Sequence, residues 1–209
     1  MNILIDRLPE TVHISGREYP INWGFRACML IEIDMFSDRE DEQKVLDALN
    51  IFYFNQIPDN QEEAMERLLD FYSCGKRQEK KEGSSECGSL RKNVRRAYDF
   101  ESDAMMIYAA FKSQYGIDLN DIRSNDLHWW KFQAMFDSLD ENHLISKVMY
   151  YRTVDLKGMS KNKRAFIKKM REIYKIERVK ETLDDATKLA KRNANMKEYV
   201  RRRMAQGSK

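Results

Sequence analysis

The sequence predicts a mainly α-helical protein with a small β-hairpin near its N-terminus. Three observations support this fold class. Apolar residues recur at spacings of three and four in successive segments from residue 25 onward, which is the period of an amphipathic helix. The chain contains no proline after Pro58, so no proline ring interrupts helices in that part. Alternation of apolar and polar residues, which indicates a strand, is convincing within residues 10–25.

The N-terminal β-hairpin is predicted from a short alternating pattern. Val12 and Ile14 flank a polar residue, and Ser15 with Gly16 supplies a turn. Apolar and polar residues alternate again on the far side of that turn. This pattern fits two short antiparallel strands.

Two helices should then carry acidic residues on their outer faces. The sequence Ser37-x-x-Glu40 is typical of a capping box and predicts the start of one of them. The other should begin after Pro58, with Asp59 or Asn60 as its cap. The residues expected to face inward are Val45, Leu46, Leu49, Phe52 and Tyr53 in the first, and Ala64, Met65, Leu68, Leu69 and Tyr72 in the second.

Composition divides the chain into four parts. Residues 73–93 are rich in Gly, Ser, Lys and Glu and hold almost nothing apolar, so burial cannot offset their ordering entropy. We predict a flexible linker or loop there, between the hairpin with its acidic helices (1–72) and an aromatic-rich helical domain (94–176). A long basic helical extension is predicted for 177–209.

Helix caps define the helices of the aromatic-rich domain. Asp99 should cap the first, which Gly116 ends, and Asp126 should cap the second. A third helix is predicted near 143–152, and Ser160 should cap a basic one. The residues expected to face inward are Ala104, Ile107, Tyr108, Phe111 and Tyr115 in the first, Trp129, Phe132, Met135, Phe136 and Leu139 in the second, and Phe166, Ile167, Met170, Ile173 and Tyr174 in the basic helix.

Aromatic residues between Tyr98 and Arg152 are candidates for a binding surface. This stretch holds 11 of the 23 Phe, Trp and Tyr residues, and each large ring buries roughly 150–250 Å². Adjacent residues of a helix, such as Trp129 and Trp130, point about 100° apart, so both cannot face the same way. We expect the aromatic residues to form a core with a subset exposed for a protein partner; the alternative is that all are core. The candidate protein-binding residues are Tyr108, Phe111, Trp129, Trp130 and Phe132, with Arg201, Arg202 and Arg203 of the basic extension.

The sequence predicts no catalytic, cofactor or metal site. It contains no Gly-x-Ser-x-Gly, phosphate-binding glycine loop or dinucleotide fingerprint. Cys28, Cys74 and Cys87 lack the closely spaced ligands of a zinc site and are expected to be free thiols in a reducing compartment. His128, within Leu-His-Trp-Trp, is expected to be a core histidine that makes one hydrogen bond. The N-terminus is a poor secretory signal, so we expect cytosolic residence.

Charge divides the molecule into an acidic and a basic end. Residues 28–72 contain 12 Asp and Glu against three Lys and Arg, whereas residues 157–209 contain 18 Lys and Arg against six Asp and Glu, a net of +12. Such a basic segment would attract nucleic acid. Acidic residues interrupt 178–204, however, and no compact turn-helix signature is present. A basic helix that meets an acidic protein surface is therefore favoured, and 28–72 offers such a surface within one chain or between copies.

A block of motifs resembles a known phage family. The motifs are Tyr-Asp-Phe-Glu-x-Asp-Ala at 98–104, Ile-Tyr-Ala-Ala-Phe at 107–111, Gln-Tyr-Gly-Ile-Asp-Leu at 114–119, Leu-His-Trp-Trp-Lys-Phe at 127–132 and Tyr-Arg at 151–152. With Leu8-Pro9 and the hairpin, they resemble the bacteriophage Gp-fifteen family of siphophage proteins from phages of Gram-positive hosts. The likeness covers most of residues 8–176.

The resemblance implies a gene position beside the tape-measure gene and a role as a tail assembly chaperone. Such proteins coat the long, helical, aggregation-prone tape measure, recruit tail-tube subunits and are absent from the finished virion. The expected protein is non-enzymatic, self-associating and active in the host cytoplasm without membrane or cofactor. The alternatives are a structural component of the tail or its connector, and a basic nucleic-acid-binding accessory protein.

Overall fold

The computed structural model describes residues 2–75, 96–121 and 126–176. The described residues are mainly helical, with a two-stranded hairpin near the N-terminus, which confirms that much of the predicted fold class. Residues 76–93 of the predicted linker and the predicted basic helix at 177–209 lie outside them. The elements in chain order are β1 (Thr11–Ile14), β2 (Arg17–Pro20), α1 (Phe25–Met35), α2 (Asp41–Phe52), α3 (Gln61–Tyr72), α4 (Ala104–Tyr115), α5 (Trp129–Asp137), α6 (Leu144–Thr153) and α7 (Lys161–Ile173).

The hairpin is tight and is fastened to α3. β1 and β2 pair antiparallel, and both turn residues, Ser15 (φ 49°) and Gly16 (φ 79°), have positive φ. This is the geometry that matches the twist of a two-residue hairpin. The Ser15 amide donates to the Glu63 carboxylate (3.0 Å), and the Arg67 guanidinium donates to the His13 carbonyl (3.2 Å). Side chains of α3 therefore hold the hairpin at the end of β1 and at the first residue of the turn.

The two acidic helices begin differently from one another. The Asn60 side chain accepts a hydrogen bond from the Glu63 amide (3.2 Å), which confirms Asn60 as the cap of α3. The capping box predicted at 37–40 is wrong. The Ser37 hydroxyl donates to the Asp34 carbonyl (2.7 Å) at the end of α1, and α2 begins after Glu40, whose side chain makes no capping bond.

The start of α4 is also later than predicted. The Asp99 carboxylate accepts the Ser102 amide (2.7 Å) in a turn that precedes the helix. α4 then begins after Asp103. Asp99 therefore organises the approach to the helix rather than its first turn. The end of α4 agrees with the prediction, because Gly116 takes the left-handed conformation there (φ 69°).

The predicted cap is wrong for α5 and confirmed for α7. α5 begins after His128, whose ring nitrogen accepts the Trp130 amide, so the predicted cap Asp126 is wrong. For α7, the Ser160 hydroxyl accepts the Lys163 amide (3.4 Å), which confirms the predicted cap.

A single hydrophobic cluster joins the described residues on the two sides of the predicted linker. The described residues up to Lys175 form one compact unit. The cluster includes Ile14, Phe25, Ile31, Leu49, Phe52, Leu68 and Phe71 from before residue 76, and Phe100, Ile107, Phe111, Trp129, Phe132, Phe136 and Ile145 from after residue 95.

Backbone hydrogen bonds also join the starts of α1 and α5. The Phe25 amide donates to the Leu127 carbonyl (3.1 Å), and the Trp129 amide donates to the Trp23 carbonyl (2.9 Å). These two bonds hold side by side two short segments that are more than 100 residues apart in the chain. They place the aromatic start of α5 in the centre of the core.

Candidate protein-interaction surface

Three of the five candidate aromatic residues lie in the core. Phe111, Trp129 and Phe132 are fully buried. The Phe132 ring stacks on Phe25, Phe111 and Trp129, with centroid distances of 5.3, 4.9 and 5.7 Å. Stacked aromatic contacts of this kind add stability beyond the buried area. The folded molecule therefore presents none of these three rings to a partner.

Trp129 and Trp130 both anchor the end of α3, although they point in different directions. The indole N–H of Trp129 donates to the Tyr72 carbonyl (2.9 Å), and that of Trp130 donates to the Phe71 carbonyl (2.7 Å). Carbonyls in the last turn of a helix lack the usual helical donors, and the Phe71 carbonyl accepts the Cys74 amide (3.0 Å) as well as Trp130. Trp130 is half-buried, and its exposed part is the portion available to a partner.

The remaining candidates are Tyr108 and the arginines of the extension. Tyr108 is half-buried, and its hydroxyl donates to the Asp118 carboxylate (3.1 Å). Arg201, Arg202 and Arg203 lie outside the described residues. A protein-binding role for Tyr108, Trp130 and these arginines stays a prediction.

His128 has a structural role with two hydrogen bonds rather than the expected one. Its Nδ1 accepts the Trp130 amide (3.0 Å), so Nε2 carries the proton and donates to the Pro9 carbonyl (3.1 Å). The ring also stacks on Trp23 (5.6 Å between centroids). Burial lowers the pKa of His128, which favours this neutral, N-capping form.

A buried ion pair joins α4, α6 and the end of α7. Asp103 and Arg152 are 2 % and 7 % exposed, and their side chains form two hydrogen bonds of 2.5 and 2.9 Å. The same guanidinium donates to the Tyr174 carbonyl (2.8 Å) and the Ala97 carbonyl (3.1 Å). The Asp99 amide donates to the Asp103 carboxylate (2.9 Å), so both charges are well coordinated.

A second ionic network lies beneath the end of α1. The buried Glu32 carboxylate accepts the Tyr72 hydroxyl and lies 3.6 Å from the Arg96 guanidinium. That guanidinium is stacked over the Phe36 ring, 3.5 Å from its centroid. Burial raises the pKa of Glu32, whereas Tyr72 and Arg96 act in the opposite direction. The Arg96 Nη1 donates to the Asp99 carboxylate (2.7 Å), whereas its buried Nη2 faces Glu32 without a hydrogen bond within the described residues.

The described residues hold no grouping of three or more His, Cys, Asp or Glu side chains that could bind a metal ion. In the same ranges, every helix is too short or too polar to cross a bilayer.

The largest departure from the predicted burial concerns α7. Ile167 is its buried residue, whereas Phe166 is 50 % and Ile173 is 58 % exposed. Both had been expected to face inward. The reason is that polar contacts also attach this helix to α6: the Arg171 guanidinium donates to the carbonyls of Tyr151 (2.6 Å) and Val154.

Tyr150, Tyr151 and Phe166 form what we call the α6–α7 surface. Tyr151 lies between the other two rings, with centroid distances of 6.0 Å to Tyr150 and 5.9 Å to Phe166. Tyr150 is 44 % exposed. The exposed basic side chains of α7 are Lys161, Lys163, Arg164, Lys168 and Lys169. Of these, Lys163 and Lys169 share the side of the helix that carries Phe166.

Sequence reasoning missed this surface, although one signal was present. Tyr150 and Tyr151 are consecutive in a helix and cannot both face the core. The sequence of α7 gives no such signal, because the exposure of its apolar residues depends on how much of the helix α6 covers.

Comparison with known proteins gives one match. A family model described as Bacteriophage Gp15 protein matches residues 4–176. No curated protein and no solved structure matches the chain.

Proposed function

The chain belongs to the bacteriophage Gp15 protein family, and from this premise we propose that it is a non-enzymatic tail assembly chaperone that binds the tape-measure protein. In this role it also helps to recruit tail-tube subunits, in the cytoplasm of the host. The family match supports a phage assembly-related role, and the sequence motifs that resemble siphophage tail-region proteins support the finer assignment.

The observation that carries the proposal is the α6–α7 surface. Tyr150, Tyr151 and Phe166 present contiguous aromatic area, and Tyr150 and Phe166 are about half exposed. Large aromatic side chains are the usual anchors of protein interfaces. A long helical protein that aggregates alone must expose apolar residues at helical spacing, and such a stripe is recognised by an apolar surface between two helices.

The basic residues of α7 define the partner further. Lys163 and Lys169 lie one turn before and one turn after Phe166, on the same side of an exposed helix. Positive rims of this kind steer acidic partners and set the orientation of binding more than they add affinity. The bound segment should therefore be an amphipathic helix with apolar residues on one face and acidic residues beside it.

The test is co-expression of the chain with the neighbouring tape-measure protein, followed by size-exclusion chromatography with light scattering. We expect the two proteins to co-elute as a soluble complex, whereas the tape-measure protein expressed alone should precipitate. The variant Y150A/F166A should lose the complex, because removal of interface anchors typically costs about 2 kcal/mol or more.

The matched control is F54A, which removes another half-exposed phenylalanine far from α6 and α7 in the sequence. It should retain the complex. A tape measure that is equally soluble without this chain, or a complex that survives Y150A/F166A, would contradict the proposal.

Nucleic acid binding is the second candidate, because exposed lysines accompany an aromatic ring on α7. This function predicts an affinity for DNA that falls steeply with salt, and K163E/K169E should reduce the slope. A structural role in the tail or its connector would instead place the protein in purified virions. The chaperone proposal expects its absence there.

A further inference from the structure

The outer face of α7 combines apolar and basic residues in a regular pattern. Lys163, Phe166, Lys169 and Ile173 follow one another at spacings of three and four, so they share one side of the helix. All four are exposed. The face is therefore an amphipathic stripe that the described fold leaves exposed, apart from the contact of Tyr151 with Phe166.

The outer faces of α2 and α3 carry the complementary pattern. Glu62, Glu66 and Leu69 lie on one side of α3, and Glu42 and Leu46 lie on one side of α2. All five are exposed, and the two helices pack against each other. Each helix thus presents an exposed leucine with a carboxylate one turn away.

These faces do not cover each other within one copy, since both are exposed in the same compact unit. Contact between two α7 faces would oppose lysine to lysine, and contact between two α3 faces would oppose carboxylates. Only the unlike pairing brings opposite charges together around the apolar residues. The net charge of the whole chain is small, +3, so repulsion between copies is weak.

We propose that copies of this chain associate head to tail, with the α7 face of one copy docked on the acidic outer face of α3 in the next. Such a contact is heterologous, so it propagates into a ring or an open chain rather than a closed pair. The proposal stands on charge and exposure and does not depend on tape-measure binding. Because Phe166 belongs to both surfaces, a bound tape measure should compete with self-association.

The test uses the full-length protein alone, freed of nucleic acid, in sedimentation velocity over a wide concentration range. The average mass should rise with concentration at low salt. It should fall towards the monomer at about 1 M salt, where the screening length is about 3 Å.

Two charge-reversed variants identify the surfaces. E62K/E66K reverses the α3 face and K163E/K169E reverses the α7 face, and each should weaken self-association at least about tenfold, a change of about 1.4 kcal/mol. Mixing the two variants should restore association, because the reversed faces then meet each other and the unchanged faces meet as before. Each variant should keep the unfolding midpoint of the parent, because all four positions are exposed.

The matched control is D137K/E141K, which reverses two exposed acids outside both faces. It should associate as the parent does. A monomer at every concentration in low salt, or a mixture that does not associate, would overturn the proposal. So would a loss of association in E62K/E66K without a loss in K163E/K169E, since the acidic face would then bind another basic segment.

Discussion

Replacing Arg152 by alanine should destabilise the fold far more than breaking an ion pair at the surface. The guanidinium donates two hydrogen bonds to Asp103 and one each to the carbonyls of Tyr174 and Ala97. Alanine would leave a carboxylate of 2 % exposure without its cation, and two carbonyls without this donor. Removing one partner of a buried ion pair costs about 3–5 kcal/mol. We expect R152A to lose this much of the free energy of unfolding.

Urea unfolding of the parent and of R152A would measure the loss. The control is K112A, which breaks the half-exposed ion pair between Lys112 of α4 and Asp118, which follows that helix (3.3 Å). Pairs of this kind contribute about 0–1 kcal/mol. The double variant D103A/R152A removes both charges together, so it should cost less than the sum of the single losses. A loss in R152A no larger than that in K112A would refute the assignment of this pair as an anchor of the fold.

Three further predictions concern single positions, each measured by urea unfolding. Burial lowers the pKa of His128, so on acidification the unfolded chain takes up this proton at a higher pH than the folded protein does. The free energy of unfolding should therefore fall as the pH drops below about 6.5. The variant H128N keeps a capping acceptor and should reduce this dependence of the free energy of unfolding on pH; an unchanged dependence would mean that His128 is not its cause. F132A should cost about 3–5 kcal/mol because the ring is fully buried, whereas F166A should change stability by about 0.5 kcal/mol or less; equal losses would contradict the assigned burial. G116A should cost about 1–2 kcal/mol through its positive φ of 69° alone, since an added Cβ meets no atom within 4 Å; a neutral effect would mean that this C-cap relaxes.

Local chemistry allowed several helix ends to be predicted from the sequence. Asn60, Ser160 and Gly116 act within a few residues of their own positions, so their effect depends little on the rest of the fold. Ser37 and Asp99 also have side chains that can cap a helix, but they form hydrogen bonds with backbone groups of turns outside the predicted helix starts. The sequence contains no signal that decides which nearby backbone group such a side chain will bind.

Contacts between distant residues could not be predicted in this way. Asp103 and Arg152 are 49 residues apart, and neither lies in a pattern that indicates burial of charge. The aromatic candidates show the same limit. A run such as Leu-His-Trp-Trp-Lys-Phe indicates a large apolar area. Whether that area is buried in the core depends on α1 and α3, which contribute Phe25, Phe71 and Tyr72.

The attachment of α7 explains why its apolar residues are available for binding. Ile167 is the buried residue of the helix, and arginines make polar contacts around it: Arg171 binds backbone carbonyls of Tyr151 and Val154, and Arg152 binds that of Tyr174. Hydrogen bonds from charged donors hold α7 in place without covering its sides. Phe166 and Ile173 are thereby presented on a fixed helix beside lysines, so a partner of the proposed kind would gain apolar contact without the cost of ordering that surface. The same arginines that secure the fold thus define the surface on which both the chaperone proposal and head-to-tail association depend.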